Sequence, residues 1–312
     1  MGGGGGRSVH RISLPELQSL VAHSQADTQR TAYNSDVNKL LGELLAAFND
    51  RDVRAINRHI QAIEEALGEE MGTVDLVFGG SVSKHTYVDG LSDIDLLVRV
   101  NDTALEDRSP DAVKRYLAQR LRDHLPNAEV TIGTLSVKIG FRDGHEMQIL
   151  PALQSELGIR IPASDGSGWS RVVRPESFAK KLTDVNQSWG GKVVPVIKLF
   201  KAIQVSLPED ARLSGYHVES IAIEAFDGYR GDSSYKSMFH YMCRVAIERL
   251  EAPMKDQTGQ SRHVDDYLGA RGSQARHRAA AFLERILKRI EAADGSLRVR
   301  DWERLFQGGS SD

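Results

Sequence analysis

The sequence predicts an α+β fold: a small mixed sheet with flanking helices, followed by a domain that is helical throughout. Three observations carry this. Apolar residues recur at helical spacing from Leu14 to about Gly68. β-Prone runs are confined to the stretch between Val74 and Leu150, where a helical segment interrupts them. From Ser177 onward the spacing is helical nearly everywhere. A chain of 312 residues is long enough for two modest domains. The sequence assigns residues 1–190 to an N-terminal helix and a sheet-bearing core, and residues 191–312 to the helical domain, with the change between Asn186 and Lys192.

In the first stretch Leu40, Leu41, Leu44 and Leu45 share one helical face, as do Ile56, Ile60, Ile63 and Leu67; Gly68 and Gly72 end it. The run Val74 to Phe78 then stops at Gly79-Gly80. A second run, Asp93 to Val100, alternates acidic with aliphatic residues before a β-branched end. Ser109-Pro110-Asp111 is an N-cap followed by proline at the first helical position, opening a helix to Leu125. Glu129 to Phe141 and Glu146 to Leu150 read as strands, joined by the hairpin-type turn Arg142-Asp143-Gly144. Helices are expected over Val193–Val205, Ser214–Phe226, Tyr235–Glu251 and Gln274–Ala293, with breaks at Pro208, Gly228–Gly231, Pro253 and Gly269–Gly272. Phe282, Leu283, Ile286, Leu287 and Ile290 form an aliphatic stripe expected to be core.

A formal net charge of −3 argues against binding long nucleic acid through bulk electrostatics, although 40 Lys and Arg leave room for local basic patches. The single cysteine, Cys243, excludes an intrachain disulfide and sits among apolar residues, as a buried small hydrophobe would. No apolar run approaches the length of a membrane span, and the N-terminus lacks the layout of a signal peptide, so a cytoplasmic protein is expected. The Gly2–Gly6 run reads as a flexible leader outside the fold.

One segment carries chemistry. A strand ending in Gly79-Gly80-Ser81 before a helical turn allows close backbone approach, and a triphosphate fits there with the Ser81 hydroxyl as a further donor. Asp93 and Asp95 lie two apart on the next strand and project from one face. Hard oxygen ligands in this arrangement suit Mg²⁺, or Mn²⁺, with phosphates completing the shell. A Gly-Gly pair or an Asp-x-Asp strand alone is commonplace. Together they are specific, because acidic residues woven among Ile94, Leu96, Leu97 and Val98 are costly without a partner such as a metal.

Gly79-Gly80-Ser81 followed by Ser92-Asp93-Ile94-Asp95-Leu96 resembles the signature of the polymerase-β-like nucleotidyltransferase superfamily. The surrounding residues are most similar to the bacterial cGAS/DncV-like nucleotidyltransferases (CD-NTases), the cyclic-oligonucleotide synthases of anti-phage CBASS operons. Lys84 to Asp93, Leu150-Pro151-Ala152, Lys198-Leu199-Phe200-Lys201 and Ser214 to Ser220 carry that similarity. It implies a polymerase-β-like core with the active site in a cleft between the two domains. There a ribose hydroxyl attacks the α-phosphate of a nucleoside triphosphate (ATP, GTP or another) with release of pyrophosphate, and the effector protein responds to the cyclic product and not to contact. By the same resemblance Asp93 and Asp95 bind metal, Gly80, Ser81, Lys84 and Lys201 hold phosphate with help from Lys198, and Ser214 and Tyr216 contact phosphate and base. Stacking on Tyr216 would tolerate any base.

In one place the chain departs from the family. Where the family carries a third carboxylate, Glu146-Met147-Gln148-Ile149-Leu150-Pro151 holds Gln148, a weak ligand and poor base. Glu146 shares the face of Gln148 and stands as a provisional third ligand or base. Two rival functions stay open: a template-independent transferase making a linear product or modifying RNA, protein or a small molecule, and a catalytically weakened nucleotide-binding regulator.

Overall fold

A computed structural model describes residues 13–49, 52–71, 75–88, 94–101, 103–163, 166–208, 212–256 and 263–307. Gly2–Gly6, Asp93 and Gln260–Arg262 lie outside the described residues. In chain order, α1 (Leu14–Ala47) and α2 (Val53–Met71) precede β1 (Asp75–Phe78), α3 (Gly80–Ser83), β2 (Ile94–Arg99) and α4 (Pro110–His124). Next come β3 (Glu129–Ile132), β4 (Val137–Gly140), β5 (Glu146–Ser155) and β6 (Gly158–Arg160). Helices α5 (Pro175–Ser188), α6 (Val193–Ile203), α7 (Gly215–Phe226), α8 (Tyr235–Leu250), α9 (Gln274–Ser296) and α10 (Val299–Phe306) complete the fold. It is α+β, as the sequence predicts.

The sheet runs β1-β2-β5-β4-β3, with β6 added to the far half of β5. β2 and β5 are parallel, with Asp95 opposite Gln148; the other pairings are antiparallel. The run expected over Glu129–Phe141 is two strands, because Gly133 donates its N–H to the Ser136 carbonyl (2.8 Å) and turns the chain back. β5 passes through Pro151, where a strand end was expected. Pairing with β4 stops at Ile149 and pairing with β6 starts at Leu153, so the missing proline N–H faces no ladder on that side. Ser109 caps α4, accepting from the Ala112 N–H (3.3 Å), as its sequence predicts.

Two hydrophobic cores form. One lies under the sheet, where Ile94, Leu96, Val98, Met147 and Ile149 meet Leu117 and Leu121 of α4 and Ile63 and Leu67 of α2. The other is helical and joins Phe200, Phe226, Phe239, Ile286, Ile290 and Trp302 to Val37 and Leu41 of α1 and Phe178 of α5. The expected change near residues 186–192 therefore falls inside one helical core, with α1 and α5 packed beside the helices that follow. Amphipathic periodicity marks an apolar stripe but not which partner covers it. Cys243 is fully buried there, and burial pushes its thiol pKa up. No described helix is long and apolar enough to cross a membrane.

Candidate active site

Strand β2 points Ile94, Leu96 and Val98 into the sheet core and leaves Asp95 half-buried on the opposite face. The turn leaving β1 closes onto that carboxylate. Gly79 donates its N–H to the Asp95 carbonyl (2.8 Å), and Ser81 donates its N–H to Asp95 Oδ2 (3.3 Å). Gly80 has φ +48°, and a Cβ built on it would lie 1.6 Å from Asp95 Oδ2. Only glycine admits both the backbone conformation and the approach. The Ser81 N–H, expected to face a phosphate, is thus committed to Asp95.

From this turn the chain runs through Lys84 and His85 to Thr86, which is fully buried. Both Thr86 and Tyr87 donate their N–H groups to the Ser81 carbonyl (2.9 and 3.1 Å). The Thr86 hydroxyl donates to Glu219 of α7, which is only 1% exposed. Glu219 also pairs with Lys84 and, at 3.2 Å, with Lys201 of α6; Lys201 in turn donates to the Thr86 carbonyl (3.1 Å). Burial raises the Glu219 pKa, but the two ammonium groups and their hydrogen bonds outweigh it, and the net shift is downward. The carboxylate stays ionised. Burial acts on Lys201 in the other direction and lowers its pKa, with Glu219 opposing.

These groups border a cavity of about 370 Å³, within the usual size for small-ligand sites. Gly80, Ser81, Lys84 and Asp95 form one wall; Lys201, Gln204, Arg212, Gly215, Tyr216 and Glu219 form the other. Three cationic side chains (Lys84, Lys201, Arg212) face two anionic ones (Asp95, Glu219), which leaves an excess of positive charge for an anion. Tyr216 lies against Phe178 of α5 (centroids 4.6 Å apart), and its hydroxyl donates to Asp256 Oδ1 (3.0 Å). Lys84 Nζ sits 5.1 Å from the Phe178 ring centroid.

The remaining candidates are placed as follows. Gln148 lies beside Asp95 across the parallel β2–β5 pair, and its Oε1 accepts from the Ser136 hydroxyl (2.8 Å). Glu146 is exposed at the start of β5 and does not line the cavity. Ser214 caps α7, accepting from the His217 N–H (3.2 Å). Lys198 is not brought to the cavity. Although only three positions from Lys201, it is 6% exposed and donates to Asn49. Asp93 is outside the described residues. Reading the sequence missed Glu219, Thr86 and Arg212. The signal for Glu219 was present as a lone acid in the apolar run Val218 to Ala222.

No protein-family model matches the chain, and no curated protein sequence is significantly similar to it. Its fold is that of solved CD-NTase structures. The Bradyrhizobium diazoefficiens CD-NTase CdnG in complex with GTP superposes with a TM-score of 0.64 at 13% identity, over 86% of this chain and 97% of that one. The Vibrio cholerae cyclic AMP-GMP synthase DncV, with a linear intermediate bound, gives 0.64 at 10% identity over 96% and 92%. Escherichia coli CdnC with ATP gives 0.55 at 18% identity over 84% and 92%.

Proposed function

We propose that the chain is a metal-dependent nucleotidyltransferase that joins nucleoside triphosphates into a cyclic di- or oligonucleotide. The observation that carries this reading is the Asp95 carboxylate clasped by the Gly80–Ser81 turn at the edge of a cavity whose far wall presents Lys201. The Asp95 carboxylate stands on the cavity face of β2, opposite Ile94 and Leu96, and a hard oxygen donor so placed fits Mg²⁺ or Mn²⁺. Asp95 and, by its place in the sequence, Asp93 would hold the ion, with Glu146 as the provisional third ligand or base. When bound, the ion would neutralise phosphate charge and lower the pKa of an attacking hydroxyl.

The protein's own groups do the positioning. Lys84, Lys201 and Arg212 offer point charges and donors to the triphosphate, and the Ser81 and Ser214 hydroxyls can each donate one more hydrogen bond. Tyr216, backed by Phe178, offers a ring face to the base. A ribose hydroxyl oxygen bonds to the α-phosphorus, the bond from that phosphorus to the bridging oxygen breaks, and pyrophosphate leaves with its electron pair. The hydroxyl proton passes to solvent, or to Glu146 if the bound substrates reach the start of β5. A second such step within the linear product closes the ring. An anti-phage role in the cytoplasm, exerted through the product on a separate effector, accords with this chemistry.

The test is incubation with four NTPs and Mg²⁺ or Mn²⁺, with and without an RNA primer, read by mass spectrometry after phosphatase treatment. A primer-independent, phosphatase-resistant product is expected, reduced about 10²-fold or more by Asp95→Asn. Extension of the primer alone would replace this reading with a linear transferase. Gln148 supports a second reading, a nucleotide-binding regulator with weakened catalysis, because its amide oxygen already accepts from Ser136. Calorimetric NTP binding without pyrophosphate release would establish that reading instead.

A further inference from the structure

Among the described residues, one group of metal-ligating side chains converges, and it lies away from the cavity: His59 of α2 with Asp143 and His145 of the β4–β5 turn. Their ligating atoms all lie within 4.8 Å of one another. His59 Nε2 is 2.7 Å from Asp143 Oδ2, and His145 Nδ1 is 3.1 Å from Asp143 Oδ1. Each imidazole thus faces a different oxygen of one carboxylate: the His145 separation is close to the edge of a tetrahedral zinc shell, about 3.3 Å, and the His59 separation is a hydrogen bond that a bound ion would replace.

Three features make this more than a chance contact of surface residues. The His59 ring is held by stacking on Phe141, with centroids 3.7 Å apart and planes 18° from parallel. The turn is pinned by Phe141 donating to the His145 carbonyl (2.9 Å) and Gly144 donating to the Phe141 carbonyl (3.0 Å), with Gly144 at φ +89°. His145 Nδ1 is brought to 3.1 Å from Asp143 Oδ1, so a nitrogen of each imidazole faces the one carboxylate. A cation between the two ring nitrogens and the carboxylate would take all three as ligands.

We propose that His59, Asp143 and His145 form a binding site for a divalent transition ion, with Zn²⁺ as the occupant the donors favour. Two imidazoles and one carboxylate match the ligand types of zinc centres that leave a fourth position for water. Asp143 is the most exposed of the three, its side chain 41% accessible, so solvent can reach that position. Mg²⁺ is excluded as the occupant because it requires oxygen donors. The ion would tie α2 to the turn immediately before Glu146, fixing the start of β5. This proposal stands independently of the nucleotidyltransferase reading.

The experiment is a Zn²⁺ titration of the full chain against a chromophoric chelator, with the visible spectrum of the Co²⁺ form as a report of coordination. One ion per chain is expected, undisplaced by millimolar Mg²⁺. His59→Phe keeps the ring stack on Phe141 and removes a ligand; Asp143→Asn keeps a residue suited to the turn and removes the charge. Each should weaken Zn²⁺ at least about tenfold, since even second-shell losses cost that much, with the circular dichroism of the folded chain retained. Absence of stoichiometric Zn²⁺ binding to the wild type, or binding that survives both substitutions, overturns the proposal.

Discussion

Glu219 is the residue on which the cavity turns. It is buried and ionised, and it meets Lys84 and Thr86 from the sheet side and Lys201 from the helical side. A carboxylate so placed holds two ammonium groups in position before any phosphate arrives. Glu219→Gln keeps the shape and removes the charge, leaving Lys84 and Lys201 without their anion. Breaking a buried ion pair in this way costs about 3–5 kcal/mol, so the variant should melt markedly below the wild type. A triphosphate would restore the missing negative charge, and ATP should raise the Tm of Glu219→Gln by more than it raises that of the wild type. Equal stability of the two proteins in differential scanning calorimetry would remove Glu219 from this role. Lys198 illustrates the opposite case. It and Lys201 share a helix at a spacing that groups side chains, yet the small rotation between them sends one to Asn49 and the other to Glu219.

At the scale of elements, the parallel register of β2 and β5 sets Gln148 level with Asp95. Gln148→Asp would put a third carboxylate beside the first, at the cost of the bond its amide oxygen accepts from Ser136. Product formation with Mn²⁺ or Mg²⁺ should rise about tenfold, the scale of one added charge in transition-state stabilisation. Unchanged product formation in both Gln148→Asp and Glu146→Gln would show that neither position serves catalysis. The turn at Gly80 and the acid at Asp95 were legible in the sequence, as was the cap Ser109, because each rests on local chemistry at fixed spacing. The packing of α1 with the C-terminal helices, the His59–Asp143–His145 group and the partners of Glu219 were not, because each depends on elements distant in the chain. The same holds for His217, which α7 buries against Tyr267 (3.0 Å from Nδ1) and near Asp265, itself paired with Arg276 of α9 (2.6 Å). Burial is the main cause of its depressed pKa, about 4 against an ordinary 6.5, with Asp265 opposing. Between those values the unfolded chain holds a proton that the native chain lacks. Stability therefore falls as pH drops from about 6.5 to about 4, by up to about 3 kcal/mol from this group. Urea denaturation at several pH values in that window should give a steeper slope for the wild type than for His217→Gln, and parallel slopes would refute the assignment.

At the scale of the molecule, two separate cores meet across the cavity. The sheet core and the helical core each bury their own apolar residues, and the links between them near the site are polar: Lys84 and Thr86 to Glu219, Lys201 to Thr86. Polar links are directional and lose strength when solvated, so a ligand that bridges the same gap should add to them in a way that packing within either core does not. A triphosphate reaching from Ser81 and Lys84 to Lys201 would stabilise the whole chain by mass action, about 2.7 kcal/mol at a hundredfold excess over Kd. For a chain of this size that is a rise in Tm of roughly 5 °C. An α,β-methylene ATP analogue, which cannot release pyrophosphate, isolates binding from turnover. Lys201→Ala should lose most of the shift because it removes the helical end of the bridge, whereas Lys198→Ala, on the far side at Asn49, should retain it. If the analogue stabilised the wild type and Lys201→Ala alike, the nucleotide would be held by the sheet side alone, and the cavity between the cores would not be where the triphosphate binds.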